Sequence, residues 1–135
     1  MIIDTSALIA ILQGEEGSDR IVQAIADARR PAISSATLVE ASIVADGPRD
    51  PVRSARFDAM VRSFGLDVVP LTAEHVRIAR SAFRDYGRGS GHPAKLNFGD
   101  CLTYALAAER DQPLLYVGDD FAHTDLRSAL DEPEV

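Results

Sequence analysis

Met1-Ile-Ile-Asp-Thr-Ser-Ala-Leu8 decides the fold. Two β-branched apolar residues stop at an aspartate. Thr5 and Ser6 follow, and Ala7-Leu-Ile-Ala-Ile-Leu12 then reads as a helix that Gly14 ends. The segment is a short strand that turns directly into a helix, with a carboxylate at the corner. The same order recurs along the chain. Pro31-Ala-Ile-Ser34 is a second strand, after which Ser34 or Ser35 caps a helix over Thr37–Ala45 that Gly47-Pro48 stops. Leu66-Asp-Val-Val69 is a third strand, and Thr72 caps a helix through Val76, Ile78, Ala79 and Phe83 that ends before Gly87. Pro113-Leu-Leu-Tyr-Val117 is the last core strand. Short apolar strands alternating with helices predict a parallel sheet in a three-layer α/β/α domain.

Three further helices fill the connections. Ser18 is expected to cap one carrying Ile21, Val22 and Ile25. Asp50-Pro51 is a cap followed by proline at the first helical position, and opens an amphipathic helix through Val52, Phe57, Met60, Val61 and Phe64. Asn97 caps the helix Phe98–Arg110. The loop that begins Arg88-Gly-Ser-Gly-His-Pro93, about eight residues long, is the one flexible stretch and is long enough to serve a site. No internal repeat or domain boundary interrupts residues 1–135, so the reading is one domain, with Asp131–Val135 as a loose acidic tail.

The size and composition fit that reading. A chain of 135 residues with 46% hydrophobic residues buries a real core. It has no apolar run near the ~18 residues a membrane helix needs. The start lacks a basic region, and Asp4 interrupts its apolar run, which argues against a signal peptide. The single cysteine, Cys101, excludes an internal disulfide, fits a reducing cytoplasm and disfavours a thiolate zinc site. The net charge of −7 is unevenly spread. Arg49 to Lys95 holds nine Lys/Arg against five acids, a net +4, and the remainder, five against sixteen, is −11. Arg80, Arg84 and Arg88, spaced by four, are read as a stripe able to hold an RNA backbone beside an acidic cleft.

Four acidic segments carry the chemistry: Asp4, Glu40, Asp100 and Asp119. Taken singly, Asp4 and Asp100 near helix starts are ordinary caps. Glu40 is less easily explained, because it interrupts the apolar run Thr37-Leu-Val-Glu-Ala-Ser-Ile-Val-Ala45 with no basic residue three or four positions away. Gly118-Asp-Asp120 is also turn chemistry. Sites in open parallel sheets form at the carboxyl ends of strands, where both Asp4 and Asp119 fall. Carboxylates gathered in an apolar setting repel one another unless a cation joins them, and oxygen-only donors suit Mg²⁺ or Mn²⁺. The three histidines read as loop or structural residues.

In this order and length, the segments Met1–Leu8, Val39-Glu40, Gly91-His-Pro-Ala-Lys-Leu-Asn-Phe-Gly-Asp-Cys-Leu-Thr-Tyr-Ala-Leu-Ala107 and Leu114-Leu-Tyr-Val-Gly-Asp-Asp-Phe-Ala-His-Thr-Asp125 resemble PIN-domain ribonucleases, most closely the VapC toxins of toxin–antitoxin systems. The resemblance implies that Asp4 and Asp100 are the principal magnesium ligands, that Glu40 is the third acid and that Asp119 is the fourth, with Asp120 an open alternative. Thr5, Ser6 and Asn97 match polar positions that orient the acids. It further implies cleavage of single-stranded RNA or RNA loops, a VapB-like antitoxin partner and a homodimer.

Three competitors fit less well. A haloacid-dehalogenase-like phosphatase needs a second Asp two positions after the first, where this chain has Ser6. A receiver domain needs an acidic pair at the first strand and a late lysine, whereas the only lysine is Lys95. A catalytically degenerate PIN fold that only binds RNA or protein is disfavoured by the presence of all four acids.

Overall fold

The computed structural model describes residues 1–131 of the chain, so most of the expected acidic tail lies outside the described residues. The elements run β1 (Ile2–Ile3), α1 (Thr5–Gln13), α2 (Ser18–Asp27), β2 (Ala32–Ser34), α3 (Ser35–Asp46), α4 (Pro51–Phe64), β3 (Asp67–Val69), α5 (Ala73–Tyr86), α6 (Phe98–Arg110) and β4 (Leu114–Leu115). A 3₁₀ turn, Phe121–His123, follows β4. The strands are all parallel, in the order β3-β2-β1-β4, with Ile2 opposite both Ala32 and Leu114.

Strand alternation divides the core. Ile2, Ala32, Val69 and Leu114 face a layer built from α5 and α6, where Ala79, Ala82, Tyr104, Ala105 and Leu106 pack. Their chain neighbours Ile3, Ile33 and Leu115 point the other way, into Ala7, Leu8, Leu12, Ile21, Ala41 and Phe57 of α1 to α4. The result is the expected α/β/α sandwich. Because both faces of the sheet are covered, its strands read as apolar runs rather than alternating ones.

The caps explain most element boundaries. Asp50, Thr72 and Asn97 cap their helices through side-chain oxygens as expected, and Ser34 rather than Ser35 caps α3. Two expectations are corrected. Gly17 holds the cap position of α2, and Ser18 is its first helical residue. Arg88 is not on α5: that helix ends at Tyr86, and Gly87 turns the chain into a bridge with Leu96. Arg80 and Arg84 therefore remain a helical pair, and Arg88 belongs to the following loop. Residues 127–129 also run beside β4, with Leu114 N donating to Arg127 O at 2.9 Å and Ala129 N to Leu114 O at 2.8 Å. No helix among the described residues is long and apolar enough to cross a membrane.

The chain leaves β1 toward β2 and β3 on one side, while β4 lies on the other. The topological switch therefore falls between β1 and β4, at their carboxyl ends, where a crevice opens.

Candidate active site

Asp4 sits at that switch. It is buried, and its carboxylate is held on both oxygens. Oδ2 accepts from Ser6 N at 3.1 Å and Ser6 Oγ at 2.7 Å, which makes Asp4 the cap of α1. Oδ1 accepts from Thr103 Oγ1 of α6 at 2.8 Å. Ser6 Oγ also receives Val117 N at 3.0 Å, fastening the chain after β4 to the start of α1. Asp4 and Ser6, both singled out in the sequence, therefore meet at one point.

Asp100 is the third residue of α6 and forms a reciprocal cap with Asn97: Asp100 N donates to Asn97 Oδ1 at 2.9 Å, and Asn97 N to Asp100 Oδ2 at 3.0 Å. Burial pushes the Asp100 carboxyl up to about 7; the Asn97 N–H opposes this, and the Asp4 and Asp120 carboxylates reinforce it. Asp4, Asp100 and Asp120 thereby form one electrostatic cluster drawn from β1, α6 and the turn after β4. Of the two candidates in Gly118-Asp-Asp, Asp120 contributes to the raised Asp100 carboxyl, and Asp119 contributes, as a lesser cause, to the raised Tyr116 hydroxyl.

Glu40 joins from α3. Thr5 Oγ1 donates to Glu40 Oε1 at 2.6 Å, and the carboxylate rests on Gly99 in the first turn of α6, where a Cβ would collide with it. The positive end of the α6 dipole lies there, a favourable place for an anion. This accounts for an acid with no basic partner on its own helix.

Sequence reasoning missed Thr103, Thr37 and Gly99. Thr103 Oγ1 lies 2.9 Å from Thr37 Oγ1, and both side chains are fully buried. Each stands three residues from an acid on its own helix, Thr103 after Asp100 and Thr37 before Glu40. A hydroxyl at that spacing in an apolar helix is the signal that would have found them. Gly99, beside an acid in the first turn of a helix, is the signal for a close approach.

Other expectations fall outside the cluster. Arg80 lies along an apolar groove with Leu71, Val76, Phe83 and Phe98, and Arg84 is solvent-exposed on α5. Arg88 lines a separate cavity with His92, Lys95 and Asp120. His75 is structural: its Nδ1 accepts from Thr72 N at 3.2 Å, and Nε2 lies 2.9 Å from Glu109 Oε1 without good hydrogen-bond alignment.

The donors are all carboxylate oxygens, a set that fits a hard divalent cation. Burial and the neighbouring Asp4 and Asp120 carboxylates push the Asp100 carboxyl up without one. Among the described residues, no group of three or more His, Cys, Asp or Glu side chains is placed so that it could hold a metal ion. Magnesium does not need so many, because it binds through one or two carboxylates and retains waters.

Known proteins agree with this architecture. The PIN domain family pattern matches residues 1–126. The chain is 50% identical to Ribonuclease VapC28 of Mycobacterium tuberculosis over 131 residues, 97% of this chain and 98% of that one. It is 46% identical to Ribonuclease VapC36 of the same species over 127 residues, covering 93% and 91% of the two chains. Two solved structures share the fold. A toxin–antitoxin complex from Klebsiella pneumoniae has TM-score 0.68 and 20% identity over 92% of each chain. Mycobacterium tuberculosis VapC20, a toxin that cleaves the sarcin–ricin loop, has TM-score 0.68 and 17% identity over 93% of this chain and 98% of that one. With the family pattern matching residues 1–126 and 50% identity to a ribonuclease over nearly the whole of both chains, this chain belongs to the PIN domain family and, within it, to the VapC ribonucleases of toxin–antitoxin systems.

Proposed function

We propose that the chain is the toxin of such a pair: a Mg²⁺-dependent endoribonuclease, with Mn²⁺ as a substitute, that cuts single-stranded RNA or RNA loops in the cytoplasm. The observation that carries this reading is the bond from Thr103 of α6, one helical turn after Asp100, to Asp4 at the end of β1, with the Glu40 carboxylate resting on neighbouring Gly99. The raised Asp100 carboxyl is consistent with acids that a cation would relieve. Asp4 and Asp100 would hold the cation, with Glu40 and Asp120 completing the acid set. When bound, the cation neutralises the cluster and supplies Lewis-acid activation of water and phosphate.

The chain's own residues supply position. Ser6 and Thr103 fix both oxygens of Asp4, and Asn97 fixes one oxygen of Asp100. Thr5 engages Glu40 Oε1, so Oε2, over Gly99, is the oxygen turned to the start of α6 and able to accept a proton from an attacking water. Attack on phosphorus in line with the leaving 3′-oxygen breaks that P–O bond, leaving a 5′-phosphate and, after protonation, a 3′-hydroxyl.

The partners follow from the same reading. A cytoplasmic ribonuclease needs an inhibitor, and a VapB-like antitoxin with an apolar helix and an arginine suits this surface. Val39, Ile43 and Val52 are exposed on α3 and α4, with Val39 next to Glu40 in the chain, and a guanidinium bridges two carboxylates. A homodimer would use other apolar surface, such as the groove between α5 and α6.

The test is cleavage of an end-labelled single-stranded RNA pool with Mg²⁺, Mn²⁺ or EDTA, followed by sequencing of the ends. Cleavage with either metal and none in EDTA is expected. Undiminished cleavage in EDTA would overturn the metal reading.

A further inference from the structure

The loop between α5 and α6 encloses a cavity of about 690 Å³ lined by Arg88, Gly89, Gly91, His92, Pro93, Lys95 and Asp120. It lies outside the acid cluster yet shares the Asp120 wall with it. The loop is built rather than slack. Arg88 N donates to Leu96 O at 3.0 Å, and Leu96 N to Tyr86 O at 2.9 Å, closing its base. Ser90 Oγ donates to Gly87 O at 2.6 Å and accepts from His92 N at 3.2 Å. Ala94 N donates to His92 Nδ1 at 3.1 Å, and the His92 ring meets Tyr86 edge-on at a 4.8 Å centroid distance. Buried Ala94 and Leu96 pin the far end.

The residues lining the cavity carry a definite set of donors. His92 Nδ1 is an acceptor, so its proton sits on Nε2. Arg88 and Lys95 are exposed cations on opposite arms of the loop, with no ion pair to an acid among the described residues. Gly89 and Gly91 both have φ near +87° (86° and 87°), which leaves their backbone uncovered by side chains. Cations, an imidazole donor and bare glycine backbone are the chemistry of phosphate recognition.

We infer that this loop cavity is a subsite for a backbone phosphate of the RNA strand neighbouring the one that is cut, gripped by Arg88 and Lys95 with His92 Nε2–H as a further donor. A strand lying over Asp100 and Asp120 passes directly from the acid cluster into the cavity. The cation-rich loop on one side and the acids on the other set the strand's direction through the site. Bound this way, single-stranded RNA is favoured over duplex, because the strand must bend past Asp120 to reach both places. The inference rests on the ribonuclease reading above and extends it to the residues that position the substrate.

The test uses Arg88→Gln and Lys95→Asn, singly and together; asparagine tolerates the positive φ of Lys95 (52°). Arg29→Gln, at the opposite end of the sheet, is the charge control. After the cut site of a single-stranded RNA oligonucleotide has been mapped, methylphosphonates replace the flanking phosphates one at a time. In the wild type, one flanking position should raise KM about tenfold with kcat nearly unchanged. The double variant should show the same KM rise and no further sensitivity at that position. The slope of log KM against log salt should fall by about 0.7 for each phosphate that the protein no longer neutralises. Strict additivity at every position, or a wild-type KM in the double variant, would overturn the subsite while leaving the ribonuclease reading in place. Loss of antitoxin affinity with KM unchanged would assign the cavity to the protein partner instead. Wild-type protein that cuts no RNA would remove both readings together.

Discussion

Thr103 Oγ1 donates to Asp4 Oδ1 at 2.8 Å and lies 2.9 Å from Thr37 Oγ1, linking the end of β1 to α6 and α3 inside a fully buried contact. Thr103 stands one helical turn after Asp100, so this bond sets how far Asp4 and Asp100 stand apart. Thr103→Val keeps the shape and removes the donor, leaving one buried carboxylate oxygen unsatisfied. The variant should lose about 1–3 kcal/mol in denaturant unfolding. Its kcat should fall about tenfold or more, because a misplaced ligand is costly. A stability loss with wild-type kcat would reduce Thr103 to core packing.

Gly99→Ala tests the placement of Glu40. An alanine stabilises a helix interior by about 1 kcal/mol relative to glycine, and less in the first turn, where Gly99 lies. Here its Cβ would collide with the Glu40 carboxylate and displace it from the start of α6. Activity should drop by at least tenfold while the melting temperature changes little, since displacing Glu40 offsets the helix gain. Full activity in Gly99→Ala would show that Glu40 works from another position.

The sequence was legible wherever one residue determined its own surroundings. Asp50-Pro51, Thr72 and Asn97 announce their helices because a cap is local chemistry, and the strands show as apolar runs because both sheet faces are covered. Asp4 could be placed at a strand end for the same reason. What escaped depends on distant contacts. Which of Asp119 and Asp120 acts on Asp100 depends on a turn whose direction Gly118, at φ 100°, leaves open in sequence. Thr103 matters only because α6 packs beside β1. The stripe Arg80-Arg84-Arg88 failed at its last member because spacing by four implies one face only while the helix lasts, and Gly87 ends it.

The pH dependence has a definite sign. Without metal, the Asp100 carboxyl is raised to about 7 from an ordinary 3.8, chiefly by burial. The folded state therefore holds more protons than the unfolded one between those values, and stability falls as pH rises through that window. Asp100→Asn keeps an oxygen for the Asn97 N–H and removes the charge, so its metal-free melting temperature at pH 8 should exceed that of the wild type, with a flatter pH profile. Metal binding requires the ionised form, so below about pH 7 it should release a proton, read by calorimetry in buffers of different ionisation enthalpy. An identical pH–stability profile in both proteins would remove Asp100 from the charge conflict.

Asp4→Asn provides the test in cells. Asparagine can keep its oxygen toward Ser6 and turn its amide to the Thr103 hydroxyl, which accepts as readily as it donates, so the fold should survive while a ligand charge is lost. Induced expression of the wild type should arrest growth, and the same level of Asp4→Asn should not. Co-expression of a small partner carrying an apolar helix and a basic residue should relieve the wild-type arrest, because a guanidinium placed between Asp4 and Asp100 answers the same repulsion that a cation does. Competition follows from that shared chemistry. Raising Mg²⁺ should weaken the partner's grip on the acid cluster while its apolar helix stays seated on Val39, Ile43 and Val52. Binding titrations of wild type and Asp4→Asn across Mg²⁺ concentrations would read this directly. High-level expression of folded wild type without any growth defect would sink the toxin reading, and ribonuclease activity measured on purified protein would then stand as a separate result.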